Sequence, residues 1–142
     1  MVVRTIVHFE IPADDVRRLA GFYRKVFGWK FARAGIPGLD YWRITTGPPG
    51  RSVGGGMFRR SSPNERPRNF VCVDRIDRTI AAFLAAGGTE VTGKMEVPGM
   101  GYSFIGEDPE GNVIALWEPT RPRPPGRSPG RAARRPRRRV TR

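Results

Sequence analysis

The hydrophobic and polar positions of this chain alternate, recur at helical spacing, and then start over. Val7, Phe9 and Ile11 alternate with His8 and Glu10, the period of two that marks a half-buried strand. Pro12 is expected to stop that strand, and Asp14 to cap the helix that follows. Across residues 15–27, Val16, Leu19, Ala20, Tyr23, Val26 and Phe27 return at steps of three and four, which predicts a helix with one buried face. Arg17, Arg18, Arg24 and Lys25 fall on its solvated side, and Gly28 stands where a helix takes a left-handed closing residue. Alternation resumes at Trp29-Lys30-Phe31, then at residues 41–45 and in a glycine-rich run at 53–58. Turn residues separate these runs, and residues 59–67 read as a polar connector with two prolines.

The pattern then begins again. Residues 70–73 predict a strand, and Asp74 precedes a helix through Ala86 with Ile76, Ile80, Phe83 and Leu84 apolar. Gly87-Gly88 closes it, and strands follow at 89–91, 101–105 and 112–117, the last two joined by a tight Asp108-Pro109-Glu110-Gly111 turn. Sliding the chain by 60 residues lays Asp14 on Asp74, Gly28 on Gly88, Trp42 on Tyr102 and Ile44 on Phe104. Two copies of a strand-helix-strand-strand-strand unit, about 3–58 and 68–118, account for this. Each half is too small to bury its own sheet face, so the halves must pack together in one α+β domain spanning 1–120.

Composition changes this picture only at the C-terminus. Ten of the 26 basic residues lie in 121–142, which hold no acid, so the net charge of +13 belongs mostly to that stretch. Rich in Arg and Pro and without apolar periodicity, it is expected to be a disordered tail. Its arginines would attract polyanions, and without aromatics to stack on bases this means weak, nonspecific nucleic-acid contact. An extension without a role is the other reading. The single cysteine, Cys72, excludes an intramolecular disulfide and fits a reducing compartment. Set in an apolar strand, it reads as a buried, inert thiol. No run approaches the roughly 20 apolar residues that span a bilayer, and the N-terminus lacks a secretory signal. A cytoplasmic protein with no membrane partner is expected.

The candidate chemistry centres on His8, the one histidine, which shares the polar face of its strand with Glu10. It is either a structural, hydrogen-bonded histidine or a polar anchor able to act as general acid or base near neutral pH. Gly54-Gly55-Gly56 lacks the Lys-Ser/Thr of a phosphate loop and signals a bulge or a close backbone approach.

Three stretches carry a family resemblance: His8-Phe9-Glu10-Ile11-Pro12, Phe22-Tyr23-x-x-Val26-Phe27-Gly28-Trp29 and Asp108-Pro109-Glu110-Gly111-Asn112-Val113-Ile114. They resemble the vicinal oxygen chelate superfamily, which includes glyoxalase I, bleomycin- and fosfomycin-resistance proteins and extradiol dioxygenases. The resemblance covers about residues 3–118. It implies paired βαβββ modules whose curved mixed sheets enclose a central pocket, and a homodimer. Metal-using members place ligands on the first and last strands of each module, positions that read here as His8, Gly55, Arg68 and Ala115. Gly and Ala offer no donor atom and Arg stays protonated, whereas a catalytic metal usually needs about three protein ligands. No metal and no cofactor are therefore expected. A small molecule would bind instead, anchored by His8 and Glu10, with Gly55 and Ala115 leaving room for it. Trp42, Tyr102 and Trp117 would wall the pocket or simply pack the core. Arg68 is either a rim cation for an anionic ligand or a solvated connector residue. Two alternatives stand beside this reading. One is a lyase, isomerase or dioxygenase that recruits a metal through His8 and Glu10, and the other is a nucleic-acid interaction protein acting through the tail.

Overall fold

Alternation at the N-terminus builds the first strand, β1 (Ile6–Ala13), and helical spacing builds α1 (Val16–Phe27) after it. The first half continues through β2 (Lys30–Arg33), β3 (Tyr41–Thr45) and β4 (Gly54–Arg59). The second repeats the plan with β5 (Arg68–Cys72), α2 (Ile76–Ala85), β6 (Thr89–Val97), β7 (Gly101–Glu107) and β8 (Val113–Pro119). The structure is a computed structural model that describes residues 3–120. The sequence expectation of a disordered tail at 121–142 lies outside the described residues.

All eight strands join one curved sheet in the order β2-β3-β4-β1-β5-β8-β7-β6. The order reads outward from the β1–β5 seam as the same plan twice: first strand, fourth, third, second. β1 runs parallel to β4 and antiparallel to β5, and β5 runs parallel to β8. Both helices cover the same face. Val16 and Ala20 of α1 pack on Ala13, Ile44 and Met57, and Ile76 of α2 packs with Val73, Phe104 and Leu116. This is the expected α+β fold. Among the described residues no helix is long and apolar enough to cross a membrane.

Several boundaries differ from the sequence expectation, each for a reason visible in the structure. Pro12 does not stop β1. Pairing with β5 ends at Glu10↔Arg68, while pairing with β4 runs on through Pro12↔Phe58 and Ala13↔Arg59. Beyond Glu10 the strand has a neighbour on one side only, where proline's missing donor is tolerated. The cap of α1 is Asp15, whose carboxylate accepts from the Arg18 amide at 3.0 Å. Asp14 instead meets Arg60 Nε at 3.1 Å. Asp74 does not cap α2 either, since the N-cap position falls on Arg75 and has no side-chain bond. The Ile76 amide donates to Glu118 of β8 at 3.3 Å, so a distant carboxylate serves this helix end. At the far end of α1, Val26 and Phe27 are exposed although their spacing predicts burial. Phe27 there lies against the rings of Tyr23 and Trp29, which themselves pack on the core beneath.

Gly28 closes α1 with φ 68°, the left-handed geometry its position foretold. Because Asp15 carries the cap and Asp74 does not, Asp15→Ala should cost about 1 kcal/mol. Asp74→Ala should stay within roughly 0.5 kcal/mol of the parent. Urea unfolding of the two variants side by side checks the difference.

Candidate functional site

Side chains alternate across a strand, so β1 sends Phe9, Ile11 and Ala13 under α1 and sends His8 and Glu10 to the uncovered face. The seam pairs His8 with Phe70 and Glu10 with Arg68. On the other side Glu10 lies opposite Gly56, and Gly56 opposite Arg43. Tyr41, two residues before Arg43 on β3, shares that face.

These placements assemble a continuous network. Arg68 Nε donates to Glu10 Oε1 at 2.7 Å, and the guanidinium lies 4.5 Å from the centre of the Phe58 ring. His8 Nε2 lies 2.7 Å from the Tyr41 hydroxyl and 3.9 Å from Glu10 Oε2. Phe70 meets the imidazole edge-on, with ring centres 5.4 Å apart. The side chains of Glu10, Arg68 and His8 are 10%, 18% and 33% exposed, so the pair of charges is largely withdrawn from water while the imidazole remains reachable.

Burial lowers the His8 pKa below its ordinary 6.5, and the nearby Glu10 carboxylate opposes this without reversing it. Burial, and then Glu10, holds the Tyr41 phenol protonated far above its usual range, with Arg68 and Arg43 pulling weakly the other way. Near neutral pH the site therefore presents a neutral imidazole beside a phenol that keeps its proton. Such a pair can accept or relay one proton at His8.

Sequence reasoning brought His8, Glu10 and Arg68 to one place and missed Tyr41. The signal for it lay in Gly56: a Cβ built there would overlap the Tyr41 hydroxyl and Cζ. Neither β1–β4 nor β3–β4 carries a register shift, so the glycine run marks close approach and not a bulge. Gly55 is on the other face, where a Cβ would come within 2.6 Å of the Phe9 carbonyl and 2.7 Å of its ring. It does not open the site. The residue of β4 that corresponds to Ala115 is Gly56, because Gly56 opposes Glu10 as Ala115 opposes Phe70. Nor does Ala115 leave room. It is 0% exposed, flanked by Phe70 and Ile105, and Trp117 packs partly buried in the same cluster.

Trp42 and Tyr102 fall on the helix-covered face. Trp42 opposes Met57, donates its indole N–H to Asp40 at 3.0 Å, and packs in the α1 core. It lines a cleft of about 420 Å³ with Asp14, Asp15 and Arg33, remote from His8. A second cleft of about 300 Å³, between Pro12 and Phe22, does not reach the network either. Tyr102 opposes Glu118 and packs with the α2 cluster, with Lys94 Nζ 4.5 Å from its ring centre. A single step along a strand reverses the face, and the 60-residue repeat does not hold through β3 and β7. Cys72 is buried, and burial raises its thiol pKa, as an inert cysteine requires.

The profile of the Glyoxalase/Bleomycin resistance protein/Dioxygenase superfamily matches residues 5–116. The chain belongs to that superfamily. A glyoxylase-like domain-containing protein of Didymella fabae is 32% identical over 123 residues, covering 80% of this chain and 91% of that one. Among solved structures, methylmalonyl-CoA epimerase from Mycobacterium tuberculosis superposes with a TM-score of 0.62 at 15% identity, over 85% of this chain and 94% of that one. The Mn(II)-bound glyoxalase from Novosphingobium aromaticivorans gives 0.57 at 19% identity, over 82% of this chain and 39% of that one. At such identities these two likenesses speak for the fold alone.

Members of the superfamily that use a metal need several donors at the positions that read here, by register, as His8, Gly56, Arg68 and Ala115. Only the imidazole could ligate. Glu10 is the adjacent carboxylate, and its Oε1 is engaged by a guanidinium that would repel a cation. Among the described residues no group of three or more His, Cys, Asp or Glu could hold an ion. The donor set does not fit a divalent metal.

Two measurements probe the network. Gly56→Ala should displace Tyr41 and cost about 1–3 kcal/mol, as overpacking does. Combining it with Tyr41→Ala should cost clearly less than the two single changes added together, the mark of a direct contact. The second concerns pH. With its folded pKa below the ordinary value, His8 contributes stability that is full above about pH 6.5 and is lost as pH falls through the folded pKa. The urea midpoint should decline from about pH 7 toward 5, and His8→Gln, which does not titrate, should flatten that decline.

Proposed function

We propose that this superfamily member binds a small molecule on the uncovered face of its sheet without a metal ion, using His8, Glu10, Tyr41 and Arg68. The observation that carries the reading is the Arg68–Glu10 ion pair, with Nε 2.7 Å from Oε1 at a place where metal donors would otherwise converge. A fixed cation there supplies positive charge permanently, so no ion has to be recruited. Neutral His8 supports a proton-accepting role toward the bound molecule, and Tyr41 orients the imidazole through the bond to Nε2.

Elemental analysis of the purified full chain tests this. Zn, Mn, Fe and Ni should be far below one per chain, and a chelator should leave the melting temperature unchanged, since an ion bound to the folded state alone would raise it by mass action. About one ion per chain, lost on His8→Ala, overturns the proposal.

A further inference from the structure

The hydrogen-bonding capacity of the network is filled unevenly. Arg68 has five N–H donors, and among the described residues its one hydrogen bond is the Nε contact with Glu10. Its side chain is only 18% exposed, yet among the described residues no buried side-chain nitrogen or oxygen lacks a partner. The Nη1 and Nη2 atoms, which have no partner among the described residues, therefore reach the accessible surface. Phe58 packs against the guanidinium and Glu10 holds its Nε edge, so two neighbours restrain the fork before anything binds.

Charge points the same way. The charged groups acting on the Tyr41 hydroxyl at the centre of the network are Glu10, Arg68 and Arg43. Two guanidiniums, Arg68 and Arg43, thus bear on this face together with the one carboxylate of Glu10. Glu65 adds a second negative charge that Arg68 feels, held at the Ser61–Ser62 turn by both backbone amides and the Ser61 hydroxyl. It is not among the groups that act on the Tyr41 hydroxyl. A planar cationic fork with its Nη edge free suits a planar group with two oxygens and one negative charge.

We infer that the ligand is a small monocarboxylate gripped end-on by the Nη1 and Nη2 edge of Arg68, with Arg43 adding longer-range attraction. This rests on the metal-independent reading above. Lysine in place of Arg68 would keep a cation beside Glu10 and lose the fork.

His8 is the one histidine in the chain, so its two ring C–H proton resonances report on this face and not on the arginines of residues 121–142. Titrating the full chain with acetate, benzoate and phenylacetate, each beside its neutral amide, provides the test. At least one acid should shift the His8 signals saturably at millimolar concentration while its amide leaves them in place. Arg68→Lys should weaken that binding roughly tenfold through loss of the bidentate geometry, and Arg43→Gln should weaken it by a smaller factor that vanishes at high salt. Amides acting as well as acids, or no shift with any acid in metal-free protein, overturns the carboxylate assignment and leaves the metal-independent reading standing. An ion found in the protein overturns that reading, and the assignment with it.

Discussion

The antiparallel seam between β1 and β5 is the constraint on which the rest depends. Neither half has a complete site. The first supplies His8, Glu10 and Tyr41, the second supplies Arg68 and Phe70, and the seam register sets Glu10 against Arg68 and His8 against Phe70. A slip of one residue would turn Arg68 toward the helices and leave a buried carboxylate unpaired. Leaving one partner of a withdrawn ion pair alone is typically worth about 3–5 kcal/mol. The pair thus favours one register over its neighbours, and in doing so it also defines the chemistry of the uncovered face.

Much of the fold was legible because its punctuation is local. Gly28 ends α1 with the expected positive φ, and the turn from Asp108 to Gly111 closes through bonds from the Glu110 and Asn112 amides to the Asp108 carboxylate. Such signals need only neighbouring residues. The misplacements at Pro12 and Asp74 involve a partner distant in sequence. Pro12 persists in β1 because β5 has already ended, and α2 does without Asp74 because Glu118 arrives from the last strand. No window along the chain contains both halves of those arguments.

The site divides along the same line. His8 and Glu10 are two apart on one strand, so their common face follows from alternation alone. Arg68 was reachable because the repeat of 60 residues is true at the first strand of each half. It fails farther out, where connectors differ in length: Gly56 corresponds to Ala115, and the helix-facing partner of Trp42 in the plan is Phe104. An error of one position is harmless for placing a strand and decisive for its faces, while one of two keeps the face and moves the residue along it. Tyr41 was open to inference in principle. A buried tyrosine needs a partner for its hydroxyl, and the glycine opposite its ring is what makes the space.

The strand order has a consequence for how the protein is made. β1 leaves the ribosome first, yet it occupies the middle of the finished sheet, and its neighbours at His8 are Gly54 on one side and Phe70 on the other. The earliest strand waits longest for its second edge to be covered. During synthesis the nascent first half can close on β4 and still expose the line of backbone groups that β5 will fill. Assembly of the centre is therefore an event between distant segments, slow by the measure of contact order. Until β5 has been made, the two residues that define the site, His8 and Glu10, stand on an open edge.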